Sequence, residues 1–291
     1  MNLLGTVRKY KVTYKNWISV IYDLYKETKE IEAVLRNRQI IRAPSEIIQF
    51  FAQLNYSQNS KYIECFSYDN GIATFPIYGK TVKIKFFDND ISNGEFASFL
   101  GDYNFLEPIE KSTVVDIGAN ICDSTIYFAI RGASKIIALE PFEFSYNWGL
   151  FNLKLNSLES SRITLLNMGY GPDGFKEVEN KISGIGSELK EVEHGVKVRI
   201  ISLKTLIDEY VDSKEGLLLK MDCEGCEYNL LSEANVVINN FKKILIEYHY
   251  GYERLKLKLE ECGFDVKFTE PHIWKDGDRV LNQGYLYAVR K

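Results

Sequence analysis

The sequence lacks any long apolar run, and this absence limits what the protein can be. No segment approaches the roughly 18 apolar residues that a membrane-spanning helix needs. The N-terminal stretch MNLLGTVRKYKVTYKNW has lysines scattered through it and no apolar segment of signal-peptide length. The net charge of −4 gives no support to nucleic acid or an anionic membrane as the main partner. We therefore expect a cytoplasmic protein with no transmembrane segment and no nucleic-acid partner.

Cysteine and histidine are both scarce, with five and three residues respectively. An odd number of widely scattered cysteines does not match the disulfide framework of a secreted domain. Only Cys223 and Cys226 form a CxxC, and no second CxxC or paired histidines complete the four ligands of a structural zinc site. We interpret this pair as small residues packed in a strand-to-helix turn, and a metal or redox role is the alternative.

The first third of the chain carries no motif, but its patterns predict two kinds of structure. Apolar residues recur at helical spacing over residues 15–56, and the break at Ala43-Pro44-Ser45-Glu46 predicts the start of a further helix. From Tyr62 to Asp88, the short runs YIECFSY, IATFPIYG and TVKIKFF predict a small antiparallel meander. Its turns are predicted at Asp69-Asn70-Gly71 and Gly79-Lys80. The stretch NGEFASFLGDY then leads into the second half.

Strands alternate with helices from Thr113 onward, which predicts a mainly parallel sheet covered on both faces. A short connection before the last strand predicts an antiparallel hairpin at the end. The segment from Gly171 to Gly195 is the longest irregular piece, and it fits either a functional loop or a surface insertion. We place a domain boundary between residues 1–111 and 112–291. The predicted strands are TVVDI, KIIALE, ITLLNM, LLLKMD, KILIEYH, DVKFTE and YLYAVR.

The stretch VVDIGANICDSTIYFAIRGASKIIALEPF places Asp116, Gly118 and Glu140 at the carboxyl ends of two predicted strands. Ligands bind at such ends in open parallel sheets, and a glycine there lets the backbone approach a ligand. The next helix, from about Cys122, directs its N-terminal amides at the same place. Glu140 follows Asp116 by 24 residues, close to the spacing at which an acidic side chain accepts hydrogen bonds from a ribose diol.

The first turn lacks the G-x-G-x-x-G pattern of dinucleotide-binding folds, since D-I-G-A-N-I-C has a single glycine. A carboxylate ahead of that glycine would repel a pyrophosphate but could accept a hydrogen bond from an ammonium group. We therefore favour S-adenosylmethionine over NAD as the cofactor. The plainer interpretation of Asp116 is a buried aspartate that caps the helix.

Two further strand ends carry acidic or basic side chains. In LLLKMDCEGCEYNLL, Asp222 should face the same crevice as Asp116, whereas Glu224 and Glu227 fit the acidic first turn expected of a helix. In KILIEYHY, Glu247 and His249 alternate along the strand and so point to one face. A lone histidine is usually structural, but its position at a strand end makes His249 a candidate catalytic group.

Four stretches together resemble the FkbM-type methyltransferases: VVDIGAN, ALEPF, LLKMDCEGCEY and ILIEYHYG. The resemblance runs from about Gly94 to the C-terminus. It implies a Rossmann-like class I fold that binds S-adenosylmethionine, and O-methylation of a hydroxyl on a sugar or polyketide-like acceptor. It also implies that Asp116, Gly118 and Asn120 hold the methionine part and Glu140 the ribose. We add Asn167, at the end of the third strand, to the cofactor-binding set. The family usually has glycine at the position of Cys122.

We therefore predict an S-adenosylmethionine-dependent O-methyltransferase whose acceptor is a sugar, a glycan or another small molecule. His249 is the first candidate for the general base, and Asp222 and Glu224 are next, as base, acceptor-binding groups or orienters of the histidine. No metal is assigned, although Asp222 with Glu247 or His249 could bind Mg²⁺. Alternative functions are an NAD-dependent oxidoreductase or epimerase, and a non-catalytic protein that binds cofactor or glycan. Residues 171–195 and the meander are candidates for acceptor recognition.

Overall fold

The structure is a computed structural model. It describes residues 3–57, 65–86, 97–158, 161–179, 189, 192–213, 216–276 and 279–291. Contacts divide the chain into two compact units, Met1–Asp102 and Tyr103–Lys291. Residues 103–111, which the sequence analysis assigned to the N-terminal part, group with the second unit. Lys243 of that unit binds the backbone carbonyls of Phe105 and Glu107, which explains the grouping.

The first unit combines helices with two small antiparallel sheets. Its core includes ring contacts between the third helix and residues in or next to the strands. Phe51 stacks on Phe66, and Phe50 packs edge-on against Phe75, both at 4.8 Å between ring centroids. All four rings are buried. The elements are α1 (Leu3–Thr13), α2 (Trp17–Tyr25), β1 (Glu30–Val34), β2 (Ile40–Pro44), α3 (Ser45–Ser57), β3 (Ser67–Asp69), β4 (Ile72–Ile77), β5 (Lys80–Lys85) and α4 (Ala97–Leu100).

A β-hairpin interrupts the region predicted as helical, so the prediction for residues 15–56 is wrong in its middle part. β1 and β2 pair antiparallel, with Glu32 opposite Arg42. Burial alternates along β1, where Ile31 and Ala33 are buried and Glu30 and Glu32 are exposed. The apolar residues here satisfy a helical spacing and a two-residue period equally well, and burial of one face of the hairpin decides between them. The flanking helices α2 and α3 confirm the rest of the prediction.

The predicted meander is confirmed for its second and third strands, β4 and β5, which pair antiparallel. The turn before β4 is confirmed as well, because Asn70 and Gly71 both have positive φ, as a tight hairpin turn requires. The next turn is centred on Tyr78 and Gly79, one residue earlier than predicted. The end of the predicted first strand YIECFSY is confirmed too, because Ser67 and Tyr68 belong to β3, which pairs antiparallel with β4. Residues 62–64 of that strand, and residues 93–96 of the following stretch, lie outside the described residues.

The second unit contains one large sheet, a smaller one and the helices that connect their strands. A 3-10 segment at Cys226–Ser232 takes the place of the helix expected after LLLKMD. The elements are β6 (Thr113–Ile117), α5 (Asp123–Ile130), β7 (Lys135–Leu139), α6 (Glu143–Leu155), β8 (Ile163–Leu166), β9 (Gly169–Tyr170), β10 (Gly174–Val178), β11 (Val196–Ile201), α7 (Leu203–Tyr210), β12 (Leu217–Met221), α8 (Asn235–Ile238), β13 (Phe241–Tyr248), α9 (Glu253–Glu261), β14 (Phe264–Phe268), β15 (His272–Asp276) and β16 (Arg279–Arg290).

The large sheet is a mostly parallel, Rossmann-like sheet with an antiparallel last strand. Its described strands run in the order β14-β16-β13-β12-β6-β7-β8, and β15 also pairs with β16. β8, β7, β6, β12 and β13 are parallel, whereas β16 is antiparallel to both β13 and β14. All seven strands predicted for this half are confirmed, and so is the final hairpin. Chain order reverses between β6 and β12, so a ligand crevice is expected at their carboxyl ends.

The central strands β6 and β12 are buried along their whole length, which is why they are nearly continuous apolar runs in the sequence. Helices pack on the sheet through side chains such as Leu206 of α7 and Leu255 of α9. Each such aliphatic side chain stabilises the fold by about 1.5–3 kcal/mol when buried. Only Asp116 and Lys220 are charged among the described residues of β6 and β12, and the two side chains contact each other.

Part of the segment predicted as irregular forms a strand. β10 pairs antiparallel with β11, and β11 pairs parallel with β9. Most residues of β10 are exposed, so no apolar pattern marks it in the sequence. Residues 180–188 and 190–191 of the predicted loop lie outside the described residues. Among the helices that the structure describes, none is long and apolar enough to cross a membrane.

Candidate functional site

The turn after β6 is held between the ends of the two neighbouring strands. The backbone N–H groups of Gly118 and Ala119 both donate to the carbonyl of Leu139, at 3.0 and 2.9 Å. On the other side, Asp222 donates its N–H to the carbonyl of Ile117 at 3.0 Å. Gly118 has a φ of 79°, and a Cβ on it would lie 1.7 Å from the carbonyl oxygen of Asp222. Glycine is therefore required here by both its conformation and its surroundings.

The chain remains in left-handed conformations up to the start of α5. Asn120 has a φ of 44°, and Cys122, the residue that caps the helix, has a φ of 66°. This region of φ favours glycine, which fits the glycine expected there from the family resemblance. The Cys122 sulfur is buried next to Gly149 of α6, where a Cβ would lie 2.6 Å from it. Gly149 thus leaves the space that the cysteine side chain occupies.

Asp116 is fully buried and holds the start of α5 against β6. Its Oδ2 accepts hydrogen bonds from the hydroxyls of Ser124 and Thr125, both at 2.7 Å. Its Oδ1 lies 3.2 Å from the Lys220 ammonium. Through these contacts Asp116 links β6 to the first turn of α5 and to Lys220 of β12. Direct contact between Asp116 and a cofactor's ammonium group stays a prediction.

Lys220 holds the glycine turn from β12, and the sequence analysis did not single it out. Its side chain is almost fully buried, and its ammonium donates to the carbonyl of Gly118 at 2.7 Å. Burial opposes the charge, but the carboxylates of Asp116, Asp222 and Asp123 raise the pKa of Lys220 above its usual value. The ammonium therefore stays charged and ties the glycine turn to β12. The signal in the sequence was a lysine inside the apolar run LLLKMD.

Glu140 lies just past the end of β7 and is 4% exposed. Its Oε2 accepts the N–H of Asn120 and its Oε1 accepts the N–H of Phe142, both at 2.9 Å. Burial raises the pKa of Glu140 to about 7, although these hydrogen bonds oppose the shift. Each oxygen keeps a free lone pair, so the carboxylate can accept two further hydroxyls. When ionised, this desolvated carboxylate has only acceptor oxygens, which suits the two hydroxyls of a ribose diol.

Asn167 supports Glu140 through the backbone. Its side-chain amide donates to the carbonyls of Glu140 and Pro141, both at 3.0 Å. The amide therefore fixes the chain where it leaves β7. Whether Asn167 also contacts a cofactor stays a prediction.

Asp222, Glu224 and His249 come together at the ends of β12 and β13. One ligand-type atom from each lies within 4.8 Å of the others. The His249 side chain is 1% exposed, whereas those of Asp222 and Glu224 are 31% and 21% exposed. Asp222 also adjoins Gly118 through its carbonyl oxygen. The structure thus brings the three predicted catalytic candidates to one place beside the glycine turn.

Glu227 orients the His249 ring through its Nδ1 atom. Its Oε1 lies 3.0 Å from His249 Nδ1 and also accepts the backbone N–H of His249. Its Oε2 accepts the N–H of Gly225 at 2.8 Å. Glu227 lies in the first turn of the 3-10 segment, as the sequence suggested, but it is fully buried and contacts His249.

The other ring nitrogen, Nε2, is buried and lies 3.2 Å from a Glu224 oxygen without hydrogen-bond geometry. It has no hydrogen-bond partner among the described residues. Burial disfavours the charged ring, but the carboxylates of Glu224 and Glu227 raise the pKa of His249 to about 12. In this state the ring carries its proton at neutral pH, which does not favour His249 as the general base.

Glu247 lies two residues before His249 on β13 and accepts a hydrogen bond from Gln283. Burial, with repulsion from Asp222, raises the pKa of Glu247 to about 8. It therefore holds a proton over much of the neutral range. This protonation limits the negative charge that the cluster would otherwise accumulate.

Cys223 and Cys226 form a disulfide, which corrects the expectation that they are simply packed small residues. Both sulfurs are bonded to each other, so neither is available as a metal ligand. The bond closes the turn that carries Glu224, whose φ is 55°. Spacing alone could not show the pairing, because a CxxC fits a packed turn, a disulfide and a metal site equally. The other three cysteines, Cys65, Cys122 and Cys262, are free.

A family model described as "Methyltransferase FkbM domain" matches residues 116–266, slightly more than half of the 291-residue chain. The chain belongs to the FkbM methyltransferase family. Enzymes of this family use S-adenosylmethionine, so the chain is an S-adenosylmethionine-dependent methyltransferase. The matched range includes the glycine turn, Glu140 and the Asp222–His249 cluster. The NAD-dependent alternative is therefore set aside.

Solved structures similar to this FkbM methyltransferase share little sequence with it. One is the FkbM methyltransferase from Methylobacillus flagellatus KT, with 16% identity and a TM-score of 0.44, covering 84% of this chain and 55% of that one. Another is a putative transferase from Pyrococcus horikoshii, with 14% identity and a TM-score of 0.44, covering 84% and 83%. A third is TYW2 from M. jannaschii in complex with AdoMet, with 16% identity and a TM-score of 0.40, covering 77% and 89%. A search of curated proteins found no match.

Proposed function

We propose that this FkbM methyltransferase transfers a methyl group from S-adenosylmethionine to a hydroxyl of a small polyhydroxylated acceptor, such as a sugar or glycan. The observation that carries the proposal is the position of Asp222, Glu224 and His249 beside the glycine turn. Carboxylates are strong acceptors for the hydrogen bonds of hydroxyl groups. A site with several carboxylates therefore suits a methyl-accepting substrate that carries several hydroxyls.

The cofactor half of the proposal rests on Gly118 and Glu140. S-adenosylmethionine supplies a methyl group on a sulfonium that is already activated for displacement. Glu140 would accept the two ribose hydroxyls on its free lone pairs, since each oxygen already holds one backbone N–H. The Gly118 turn would let the backbone approach the methionine part, and Lys220 would keep that turn in place. Chain residues then position the cofactor rather than react with it.

The acceptor half rests on the two partly exposed carboxylates. In the overall reaction the sulfur–methyl bond breaks, an oxygen–methyl bond forms, and sulfur keeps the electron pair. The hydroxyl proton must leave, and Asp222 or Glu224 would receive it. His249, held by Glu227, would fix the positions of these carboxylates. A positioned proton acceptor contributes about 10²–10⁴-fold to such a reaction.

The test is an assay of methyl transfer to a panel of sugars and polyols, in which the release of S-adenosylhomocysteine is measured. Asp222→Asn and Glu224→Gln should lower kcat by about 10²-fold or more with little change in the Kd of S-adenosylhomocysteine. Glu143→Gln, an exposed acid at the start of α6, is the matched control and should leave kcat unchanged. Transfer to an amine instead, unaltered turnover in both variants, or cofactor binding without any transfer would each contradict the proposal.

We also propose that residues 171–195 recognise the acceptor. The described strand β10 places part of this segment beside β11 and β9, and β9 directly follows Asn167 and Met168 in the chain. Replacing residues 180–188 with a short glycine-serine linker should raise the KM for the acceptor without changing the Kd of S-adenosylhomocysteine. An unchanged KM would contradict this role.

A further inference from the structure

We infer that Asp222, Glu224 and His249 form a binding site for a divalent transition-metal ion such as Mn²⁺ or Zn²⁺. The inference rests on the proposed function, because an ion there would act on the acceptor hydroxyl beside the cofactor.

The distances within the cluster suit coordination. Nε2 of His249 lies 3.2 Å from Oε2 of Glu224 and 4.0 Å from Oδ1 of Asp222. One ligand-type atom from each of the three residues lies within 4.8 Å of the others. Protein ligands bind such ions at about 2.0–2.2 Å, so two atoms on one ion are at most about 4.4 Å apart. A shift of a few tenths of an ångström in the partly exposed carboxylates brings the set within this limit.

Nε2 of His249 is buried and makes no hydrogen bond among the described residues. The ring is 99% buried, and Nε2 lies 3.2 Å from a Glu224 oxygen without hydrogen-bond geometry, so no hydrogen bond in the described part of the chain satisfies it. A buried polar atom without a partner costs free energy, and its presence calls for an explanation. Coordination of an ion would give Nε2 a partner and neutralise the two carboxylates at once.

Glu227 supports this interpretation from the far side of the ring. Metal-binding histidines almost always donate the N–H of their other nitrogen to a carboxylate or carbonyl, which fixes the tautomer. Nδ1 of His249 lies 3.0 Å from Glu227, and Glu227 is in turn held by the N–H groups of Gly225 and His249. With an ion bound, Nδ1 keeps its hydrogen and the ion replaces the proton on Nε2.

The donor set points to the class of ion. Imidazole nitrogen favours ions such as Zn²⁺, whereas carboxylate oxygens alone would favour Mg²⁺ or Ca²⁺. One nitrogen and two oxygens therefore favour Mn²⁺ or Zn²⁺ over Mg²⁺. Three protein ligands also leave coordination positions open, as catalytic sites do. The chemistry that a divalent ion supplies in such a place is polarisation of the acceptor oxygen, so that its proton leaves more easily.

The test uses the full chain, stripped with a chelator, and Mn²⁺ titrations followed by electron paramagnetic resonance. We expect one Mn²⁺ per chain, at least tenfold weaker binding in Asp222→Asn and in Glu224→Gln, and at least tenfold weaker competition by Mg²⁺ than by Zn²⁺. Both variants change partly exposed side chains, so they should fold. Glu30→Gln, the same chemical change at an exposed position of β1, is the matched control and should bind as the native protein does.

Several results would overturn the inference: no stoichiometric Mn²⁺ binding, binding that both variants leave unchanged, or preference for Mg²⁺. His249→Gln gives a further check, provided that its thermal unfolding shows a folded protein, and should weaken binding at least tenfold. Full methyl transfer in chelator-treated protein would reject the ion but leave the proposed function intact. Site-specific Mn²⁺ binding without transfer to any hydroxyl would support the site and reject the proposed function.

Discussion

Replacing Glu140 with glutamine separates the charge of this side chain from its shape. In the native protein each carboxylate oxygen accepts one backbone N–H, from Asn120 and from Phe142. Glutamine has a single carbonyl oxygen, which can accept one of these two N–H groups. The second N–H group then faces the glutamine NH₂ group, which is itself a donor. The ribose hydroxyls of the cofactor then lose a charged acceptor. Glu140→Gln should therefore weaken cofactor binding in a way that depends on pH.

The size of the effect follows from the hydrogen bonds. A hydrogen bond to a charged group contributes about 1.5–3 kcal/mol, which corresponds to about 10- to 150-fold in Kd. We expect a loss of this size for S-adenosylhomocysteine at pH 8. Burial raises the pKa of Glu140 to about 7, so the native protein should also bind more weakly below pH 7. The two proteins should converge near pH 5, because the variant has nothing to titrate at this position.

The same shift predicts how stability changes with pH. The pKa of Glu140 rises from 4.5 to about 7, mainly by burial, with Asp116 adding to the shift and Lys220 opposing it. Between these values the unfolded chain releases a proton that the folded protein keeps, so stability falls as pH rises. The loss is about 1.4 kcal/mol per pH unit and about 3 kcal/mol in total, and it levels off above pH 7. Glu140→Gln should lack this component.

Two measurements test this prediction. Calorimetric titration with S-adenosylhomocysteine from pH 5 to pH 8 gives the affinities, and urea unfolding of the cofactor-free protein over the same range gives the stabilities. Glu143→Gln, an exposed change three residues later, is the control and should follow the native protein in both. Equal affinity of Glu140→Gln and native protein at pH 8 would refute the ribose assignment. Identical pH profiles of stability would refute the buried-carboxylate argument.

Two further predictions concern the glycine turn. Gly118→Ala should abolish detectable binding of S-adenosylhomocysteine, whereas Gly79→Ala, with a similar φ of 73° but open space around it, should cost only about 1–2 kcal/mol of stability; equal effects of the two substitutions in calorimetry and thermal unfolding would contradict the crowding against Asp222. Lys220→Met should lower the free energy of unfolding by about 3–5 kcal/mol, because it leaves the buried Asp116 charge without its partner, and adding Asp116→Asn should restore part of it. Urea unfolding measures the free energy of unfolding of the single and the double variant. An unchanged value in Lys220→Met would show that the Asp116–Lys220 ion pair contributes nothing to stability.

Much of the second unit could be predicted from the sequence because its strands are buried on both faces. β6, β7 and β12 are short apolar runs with a glycine or an acidic residue directly after them, and that pattern has few other interpretations. Strand ends converge in a parallel sheet, so the meeting of Asp222 with His249 was also predictable.

The parts that could not be predicted depend on contacts between distant residues. The hairpin β1–β2 satisfies a helical spacing as well as a strand period, and only packing of Ile31 and Ala33 decides between them. The apolar run around Lys220 marks it as buried, but its partners lie about a hundred residues away on the neighbouring strand. Local sequence carries no information about which partner a buried charge will find.

The role of each acidic side chain was the least predictable feature. Asp116 and Glu140 follow neighbouring strands in the same way, yet Asp116 is enclosed by Ser124, Thr125 and Lys220, while both Glu140 oxygens keep a free lone pair. Glu227 looks like an ordinary first-turn acid in the sequence but is the buried partner of His249. Burial and hydrogen-bond partners separate these roles, and both are properties of the folded chain.

The measurement that tests the account most directly is a crystal structure of the protein with S-adenosylhomocysteine bound. We expect both ribose hydroxyls within hydrogen-bond distance of the Glu140 carboxylate and the sulfur directed toward Asp222, Glu224 and His249. A nucleoside bound away from Glu140, or a sulfur that faces away from this cluster, would contradict the assignment of both halves of the site.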